Sequence, residues 1–208
     1  YSLMQDESGN IWAGGDHGLS RIDRRSGEIT TFDLGPHSVR AVYEDSDGQV
    51  WAGTLGSGLQ RFDAEKETFE RFTNDADNVA SISGDKVTVI YEDSDGRFWV
   101  GTTNGLNLMN RAEGEFVRYV RDETDVTSLA DNSITVIYED RGSVLWIGTK
   151  TRGISKWNSR TWAYGYESGN EITAKADAKP VVTSFTEDLE GRLWIGTFGD
   201  GVSAIDRD

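Results

Sequence analysis

Five copies of one short pattern punctuate the chain: an apolar residue, Trp, a small or aliphatic residue, Gly and, in four of the five, Thr. They are Ile11-Trp12-Ala13-Gly14-Gly15, Val50-Trp51-Ala52-Gly53-Thr54, Phe98-Trp99-Val100-Gly101-Thr102, Leu145-Trp146-Ile147-Gly148-Thr149 and Leu193-Trp194-Ile195-Gly196-Thr197. An Asp stands six residues before each Trp: Asp6, Asp45, Asp93, Asp140 and Asp188. A Gly followed by an aliphatic residue comes shortly after: Gly18-Leu19, Gly58-Leu59, Gly105-Leu106, Gly153-Ile154 and Gly201-Val202. Self-similarity at this period means stacked units that bury their faces against one another, so the array is one folding problem.

The Trp spacings are 39, 48, 47 and 48 residues. From each Trp to the last aromatic of its unit (Phe32, Phe72, Tyr119, Tyr166) is 20 or 21 residues, and from there to the next Asp is 13, 21, 21 and 22. The short interval therefore lies in one connector. Each unit reads as four short strands, rich in β-branched and aromatic residues. In the third they are Val87–Glu92, Arg97–Gly101, Leu106–Met109 and Glu115–Tyr119. No apolar 3.6 period survives for three turns, so helices are not expected.

The first two strands of a unit are joined by turns such as Asp45-Ser46-Asp47-Gly48 and Asp93-Ser94-Asp95-Gly96. Asp opens such a turn through its side-chain acceptor, and Gly supplies a later position with positive φ. In the fourth unit the Gly moves one place, Arg141-Gly142-Ser143, and a different turn type is expected there. First strands such as Val89-Ile90-Tyr91 are apolar on consecutive residues, which predicts burial on both faces. The expected fold is all-β: a β-propeller of four-stranded antiparallel blades, with approximate bounds 1–35, 36–74, 84–121, 132–168 and 179–208 within one domain. Trp12, Trp51, Trp99, Trp146 and Trp194 would fill the space between blades. Gly53, Gly101, Gly148 and Gly196 belong to the same structural repeat.

Labelling the strands A to D places A–B and C–D turns at one end of every blade. B–C loops and D-to-A connectors lie at the other. The A–B turns are nearly uniform, whereas the B–C loops vary: Asp16-His17, Leu55-Gly56-Ser57, Thr103-Asn104, Lys150-Thr151-Arg152 and Phe198-Gly199-Asp200. Variable loops on a constant frame are where function concentrates. Two connectors match at an offset of 47, Asp75 to Ile82 and Asp122 to Leu129. Their Ser81 and Ser128 are expected to cap a single helical turn. The fourth connector, Glu167 to Pro180, has lost this pattern.

The formal net charge of −15 opposes nucleic acid and anionic lipid, both of which need a basic surface. No apolar run approaches the length of a transmembrane helix. Cys is absent, which suits an oxidising compartment without requiring one.

The string Val136-Ile137-Tyr138-Glu139-Asp140, then Leu145-Trp146-Ile147-Gly148-Thr149, then Gly153-Ile154, resembles the two-component regulator propeller repeat. So does the Asp-rich connector ending in Ser-Leu or Ser-Ile. The resemblance runs along the whole chain; the first unit departs from it with Gln5 for Glu and Gly15 for Thr. It implies a bacterial sensor whose propeller is periplasmic, anchored to the membrane through segments outside this chain, ahead of a histidine kinase or diguanylate cyclase. Known sensors of the type include ones responding to glycans. No output-domain motif occurs in these residues, so no kinase or cyclase activity is expected of them.

The pairs Glu44-Asp45, Glu92-Asp93, Glu139-Asp140 and Glu187-Asp188 invite comparison with the two carboxylates of a glycosidase. Their recurrence in four units favours a turn-forming role, because an active site is normally single. Asp45-Ser46-Asp47-Gly48 lacks the distal Glu of a calcium loop, and the two histidines, His17 and His37, have no zinc spacing. No catalytic residue, metal or cofactor is expected. The ligand-binding candidates are His17, Lys150, Arg152 and Asp200 on the B–C loops; Lys150 and Arg152 would hold an anionic group, Arg by a bidentate fork. Their plainer reading is solvated surface charge. Trp157 and Trp162 fall outside the repeated position and read as strand packing or, if exposed, as platforms for a sugar.

These observations favour a non-catalytic sensor or ligand-binding module for a glycan or small molecule. A propeller hydrolase or lyase, or a protein-binding scaffold, is the alternative. The fifth unit ends on its third strand, Ser203-Ala204-Ile205-Asp206, and an uncovered blade face is an association hazard. A segment of a larger propeller, or an open end paired with a second copy, is therefore expected; the alternative is a five-bladed ring closing on a three-stranded blade.

Overall fold

The computed structural model describes residues 1–158, 163–167 and 180–205. Blade one comprises β1 (Ser2–Gln5), β2 (Ile11–Gly15), β3 (Gly18–Ile22) and β4 (Ile29–Phe32). Blade two comprises β5 (Val39–Glu44), β6 (Val50–Thr54), β7 (Leu59–Asp63) and β8 (Thr68–Phe72). Blade three comprises β9 (Val87–Glu92), β10 (Phe98–Thr102), β11 (Gly105–Asn110) and β12 (Glu115–Tyr119). Blade four comprises β13 (Ile134–Glu139), β14 (Val144–Thr149), β15 (Ile154–Asn158) and β16 (Ala163–Glu167). Blade five has three strands, β17 (Val181–Glu187), β18 (Leu193–Phe198) and β19 (Gly201–Ile205). Each sheet follows chain order, so every connection within a blade is a hairpin. The fold is that of β-propeller blades, and no helix occurs among the described residues. The chain forms two compact units, Tyr1–Val100 with Asn107–Arg118, and Gly101–Leu106 with Tyr119–Asp208.

In the first unit Trp12 packs among Leu19, Phe32, Val39, Val42 and Phe62, so its indole bridges blades one and two. Its ring centroid lies 5.0 Å from that of Phe62, edge to face. Trp51 repeats this role towards blade three, among Val87, Ile90, Phe98 and Phe116. In the second unit Trp146 meets Val182, Leu193 and Ile195 of blade five. Burying an indole of this size is worth about 3–5 kcal/mol against truncation to Ala.

The Gly two residues after Trp12, Trp51 and Trp146 makes this approach possible. A Cβ on Gly53 would stand 2.5 Å from Cγ1 of Val87, and one on Gly148 would stand 2.7 Å from Cγ1 of Val182. The first strand of the following blade is thus laid directly over a missing side chain.

Three expectations need correction. Complete burial falls on the second strands: every residue of β6 and of β10 is buried. The first strands are only partly so, and their buried residues come three apart, Val39 and Val42 in β5, Ile134 and Ile137 in β13. The cause is a register shift between Val39 and Ala41, repeated between Ile134 and Val136 and between Val182 and Ser184. An extra residue opposite one partner breaks the two-residue alternation and bends the strand. Secondly, the Arg141-Gly142-Ser143 turn keeps the geometry of its counterparts. Ser143 takes φ 58° where Gly48 takes 75° and Gly96 takes 76°. Its N–H donates to the Asp140 carbonyl at 2.9 Å, as that of Gly48 does to Asp45.

Thirdly, Ser81 and Ser128 cap no helix. The Ser81 hydroxyl accepts from the Asp75 N–H at 2.8 Å and donates to the Asp75 carbonyl at 3.0 Å. Ser128 closes on Asp122 with 2.9 and 3.0 Å. Each Ser therefore staples a non-helical loop, with Val79 and Val126 exposed on it. Trp157 is buried in β15 as packing; Trp162 and most of the fourth connector lie outside the described residues.

Candidate functional site

The repeated polar residues converge on the A–B turn end of each blade. Oδ1 of Asp45 accepts from the N–H groups of Asp47 at 3.1 Å and Gln49 at 2.9 Å. Its Oδ2 accepts from Nε1 of Trp51 at 2.8 Å. The same indole bond recurs at Asp6–Trp12, Asp93–Trp99, Asp140–Trp146 and Asp188–Trp194, at 2.7 to 2.8 Å. The six-residue spacing is thus the distance at which one carboxylate shapes the turn and satisfies a buried indole donor. At Asp188 that indole N–H, followed by the donors of Arg192, holds the carboxyl down to about 2.

Three of the Glu residues that precede these Asp residues, Glu44, Glu92 and Glu187, reach backwards. Oε2 of Glu44 accepts the Glu7 N–H at 2.8 Å, and Glu92 accepts the N–H and hydroxyl of Ser46 at 2.7 and 2.9 Å. In the second unit Glu187 accepts the Arg141 N–H at 3.1 Å. Glu44, Glu92 and Glu187 therefore each latch their blade to the turn of the blade before it. The turn-forming reading of the Glu-Asp pairs holds for Asp and is extended for Glu. Thr54, Thr149 and Thr197 close the B–C loops by donating to the carbonyls of Gly58, Gly153 and Gly201 at 3.0, 2.8 and 3.0 Å.

One cation joins this frame. Arg111, in the turn after β11, places Nη1 2.9 Å from Oδ2 of Asp45 and Nη2 2.7 Å from Oε1 of Glu92. Its guanidinium carbon lies 5.3 Å from the Phe98 ring centroid. These bonds hold the Arg111 pKa up against its burial.

At the other end, the loops of the first unit carry a polar cluster that the sequence did not single out. Nδ1 of His37 lies 3.0 Å from the Ser57 hydroxyl. His37 sits in the shortest connector, and its ring lies where a Cβ on Gly56 would be, 2.6 Å away. Asp16 accepts from Ser38 at 2.7 Å and from the Tyr1 hydroxyl at 3.1 Å. Those two bonds hold its carboxyl below the usual range, and the Asp16 bond pushes the Tyr1 phenol up. The only signal in the sequence was the coincidence of the odd connector with one of the two histidines.

His17 is exposed on the blade-one loop, beside Asp16. In the second unit Lys150 and Arg152 are exposed on the blade-four loop, and Asp200 stands half-buried on the blade-five loop. That blade-four loop is anchored by Asp131, which accepts the Thr151 N–H at 3.0 Å and hydroxyl at 2.6 Å. His17 thus belongs to one unit and the other three candidates to the other.

A model of the two component regulator propeller family matches residues 33–56, 81–104 and 128–151. Three of the five units are two component regulator propeller repeats. Each matched stretch of regulator propeller runs from a connector through strands A and B. No curated protein matches the chain in sequence. In structure it is similar to the extracellular domain of a protein described as a hybrid two component system of B. thetaiotaomicron (TM-score 0.76, 20% identity, 97% of this chain and 26% of that one). It is also similar to virginiamycin B lyase from Staphylococcus aureus (TM-score 0.67, 14% identity, 97% of this chain, 68% of that one). A third likeness is PorZ, a surface component of the type-IX secretion system of Porphyromonas gingivalis (TM-score 0.66, 16% identity, 98% and 31%). The chain spans about a quarter of the two component system domain, 26%. At these identities the likenesses show the fold. No helix among the described residues is long and apolar enough to cross a membrane.

Proposed function

We infer that this chain is an extracytoplasmic, ligand-binding segment of a bacterial signal-transduction protein, periplasmic and without turnover of its own. The observation that carries this reading is the division of labour within each blade. The repeated Asp, Glu and Trp tie blade to blade at the turn end, and the side chains that vary sit on the loops at the other. This pattern, in regulator propeller repeats, suits a rigid scaffold presenting a variable surface. Lys150 and Arg152 are candidates for an anionic group, such as a uronate or sulfate on a glycan, with His17 and Asp200 as further candidates.

Titrating the protein with a panel of neutral and anionic oligosaccharides tests the reading through the melting temperature. A ligand present at a hundred times its Kd stabilises the native state by about 2.7 kcal/mol. Alanine at both Lys150 and Arg152 should weaken an anionic ligand by about 1–2 kcal/mol; unchanged affinity removes the pair from the site. Cleavage of any sugar by the purified protein would overturn the non-catalytic reading. The His37–Ser57 pair favours the enzymatic alternative, because a hydroxyl within hydrogen-bond reach of an imidazole is the first requirement of a nucleophile. Cleavage lost in Ser57→Ala would establish it.

A further inference from the structure

Blades two and three are pinned by Arg111, but blades one and two have no such pin. The equivalents of Asp45 and Glu92 are Asp6 and Glu44, 39 and 48 residues earlier. The equivalent of Arg111, 47 residues earlier, is Ala64. The Phe98 ring under the guanidinium is replaced by Val50. Both substitutions remove bulk, and between blades one and two lies a cleft of about 480 Å3 lined by Asp6, Ser8, Trp12, Glu44, Val50 and Ala64.

The charges around this cleft do not balance. Arg21 pairs with Glu67 at 2.7 Å, Arg61 with Glu70 at 2.5 Å and Lys66 with Asp63 at 2.5 Å. That leaves Asp6 and Glu44. Oδ2 of Asp6 accepts from the Trp12 indole at 2.7 Å and from the neutral amide of Asn10 at 2.9 Å, and its Oδ1 accepts the Asn10 N–H at 2.7 Å, so Asp6 is met by neutral donors alone. Glu44 accepts one backbone N–H on Oε2, at 2.8 Å, and its Oε1 has no partner among the described residues. Burial, and after it the charges of Asp6, Glu7 and Asp45, raise the Glu44 pKa. Two carboxylates that elsewhere in this chain share one guanidinium here share none.

We propose that the cleft between blades one and two binds a guanidinium group from outside the chain, held by Asp6 and by Oε1 of Glu44 as Asp45 and Glu92 hold Arg111. A planar cation with several donors suits two carboxylates at this spacing better than a compact ion does. Ser8 takes the place of Asp47, which lies 3.8 Å from Arg111, so that position is neutral; Arg21 and Arg61, each already in an ion pair, also line the cleft. The wall of Val50 and Ala64 leaves room for a short apolar arm next to the cation. The site lies at the turn end of the blades, opposite the loops considered above, and stands independently of the sensor reading.

Calorimetric titration with agmatine, and with a short arginine-containing peptide, tests the proposal on the intact protein. Binding of either is expected, and the tighter of the two identifies the source as a small amine or a polypeptide. Glu44→Gln should weaken it at least about tenfold, or 1.4 kcal/mol, while keeping the bond to Glu7. Ala64→Arg should abolish it and raise the melting temperature, because the chain then fills its own cleft as it does at Arg111. Binding that survives both changes, or calcium bound in place of agmatine, overturns the proposal. The melting temperature of Ala64→Arg is read without ligand, so a failure to fold is recognised: a fall there overturns the equivalence of the two clefts.

Discussion

Trp51 donates its indole hydrogen to Oδ2 of Asp45 across 2.8 Å, and that oxygen also faces Nη1 of Arg111 at 2.9 Å. One carboxylate therefore anchors a turn, a blade-filling ring and a cation from the next blade. Asn at position 45 would turn an amide donor against a donor, leaving a buried group unpaired. Asp45→Asn is expected to cost about 2–3 kcal/mol. Trp51→Phe should cost less, and the double substitution less than the sum, because both remove the same bond. The midpoint of urea unfolding checks all three.

Gly53→Ala places a methyl group 2.5 Å from Cγ1 of Val87. The neighbouring strand must shift, and overpacking of this kind costs about 1–3 kcal/mol. Adding Val87→Ala should recover part of the loss by removing the atom that is struck. A double substitution as unstable as the sum of the singles would show that the contact is not the cause.

Ser143 holds φ 58°, where L residues clash with their own carbonyl. Ser143→Gly relieves that strain at some cost in unfolded-state entropy. The net expectation is a gain of about 0.5–1 kcal/mol, read as a higher melting temperature. The same change at Ser46, earlier in the corresponding turn, removes the hydroxyl bond to Glu92 and should not stabilise.

Acid should act on Asp188 and Glu44 in opposite senses. The Asp188 carboxyl is held down to about 2, first by the Trp194 indole. The unfolded chain binds that proton near pH 4, so the stabilisation is full above about pH 4 and is lost as pH falls towards 2. Asp188→Asn should flatten this part of an acid titration followed by tryptophan fluorescence. Glu44 is raised, chiefly by burial, so the folded state holds its proton more tightly. Its ionisation opposes folding as pH rises above the usual glutamate range. Glu44→Gln is expected to raise the melting temperature at pH 7 and to lose that advantage near pH 4.

Five Trp residues in register, an Asp six before each and strands of β-branched residues were enough to determine the blades. The strands of the third unit were legible to within a residue at each end, because local pattern and turn chemistry pointed the same way. Ser143 was misread because a shifted Gly looked like a changed turn, whereas the hydrogen bonds to Asp140 force the same φ on whatever residue stands there. The bulge at Arg40, between Val39 and Ala41, was invisible, since an extra residue shows only against its partner strand. The reach of Glu44 to Glu7, of Arg111 to Glu92 and of His37 to Ser57 spans 37, 19 and 20 residues. Such pairs are made by the stacking of blades, and neither partner announces the other in sequence. The tertiary structure also decided that two repeat-related carboxylate pairs differ. One holds Arg111; at the other Asp6 is met only by the Trp12 indole and Asn10, and Ala64 carries no charge to join it.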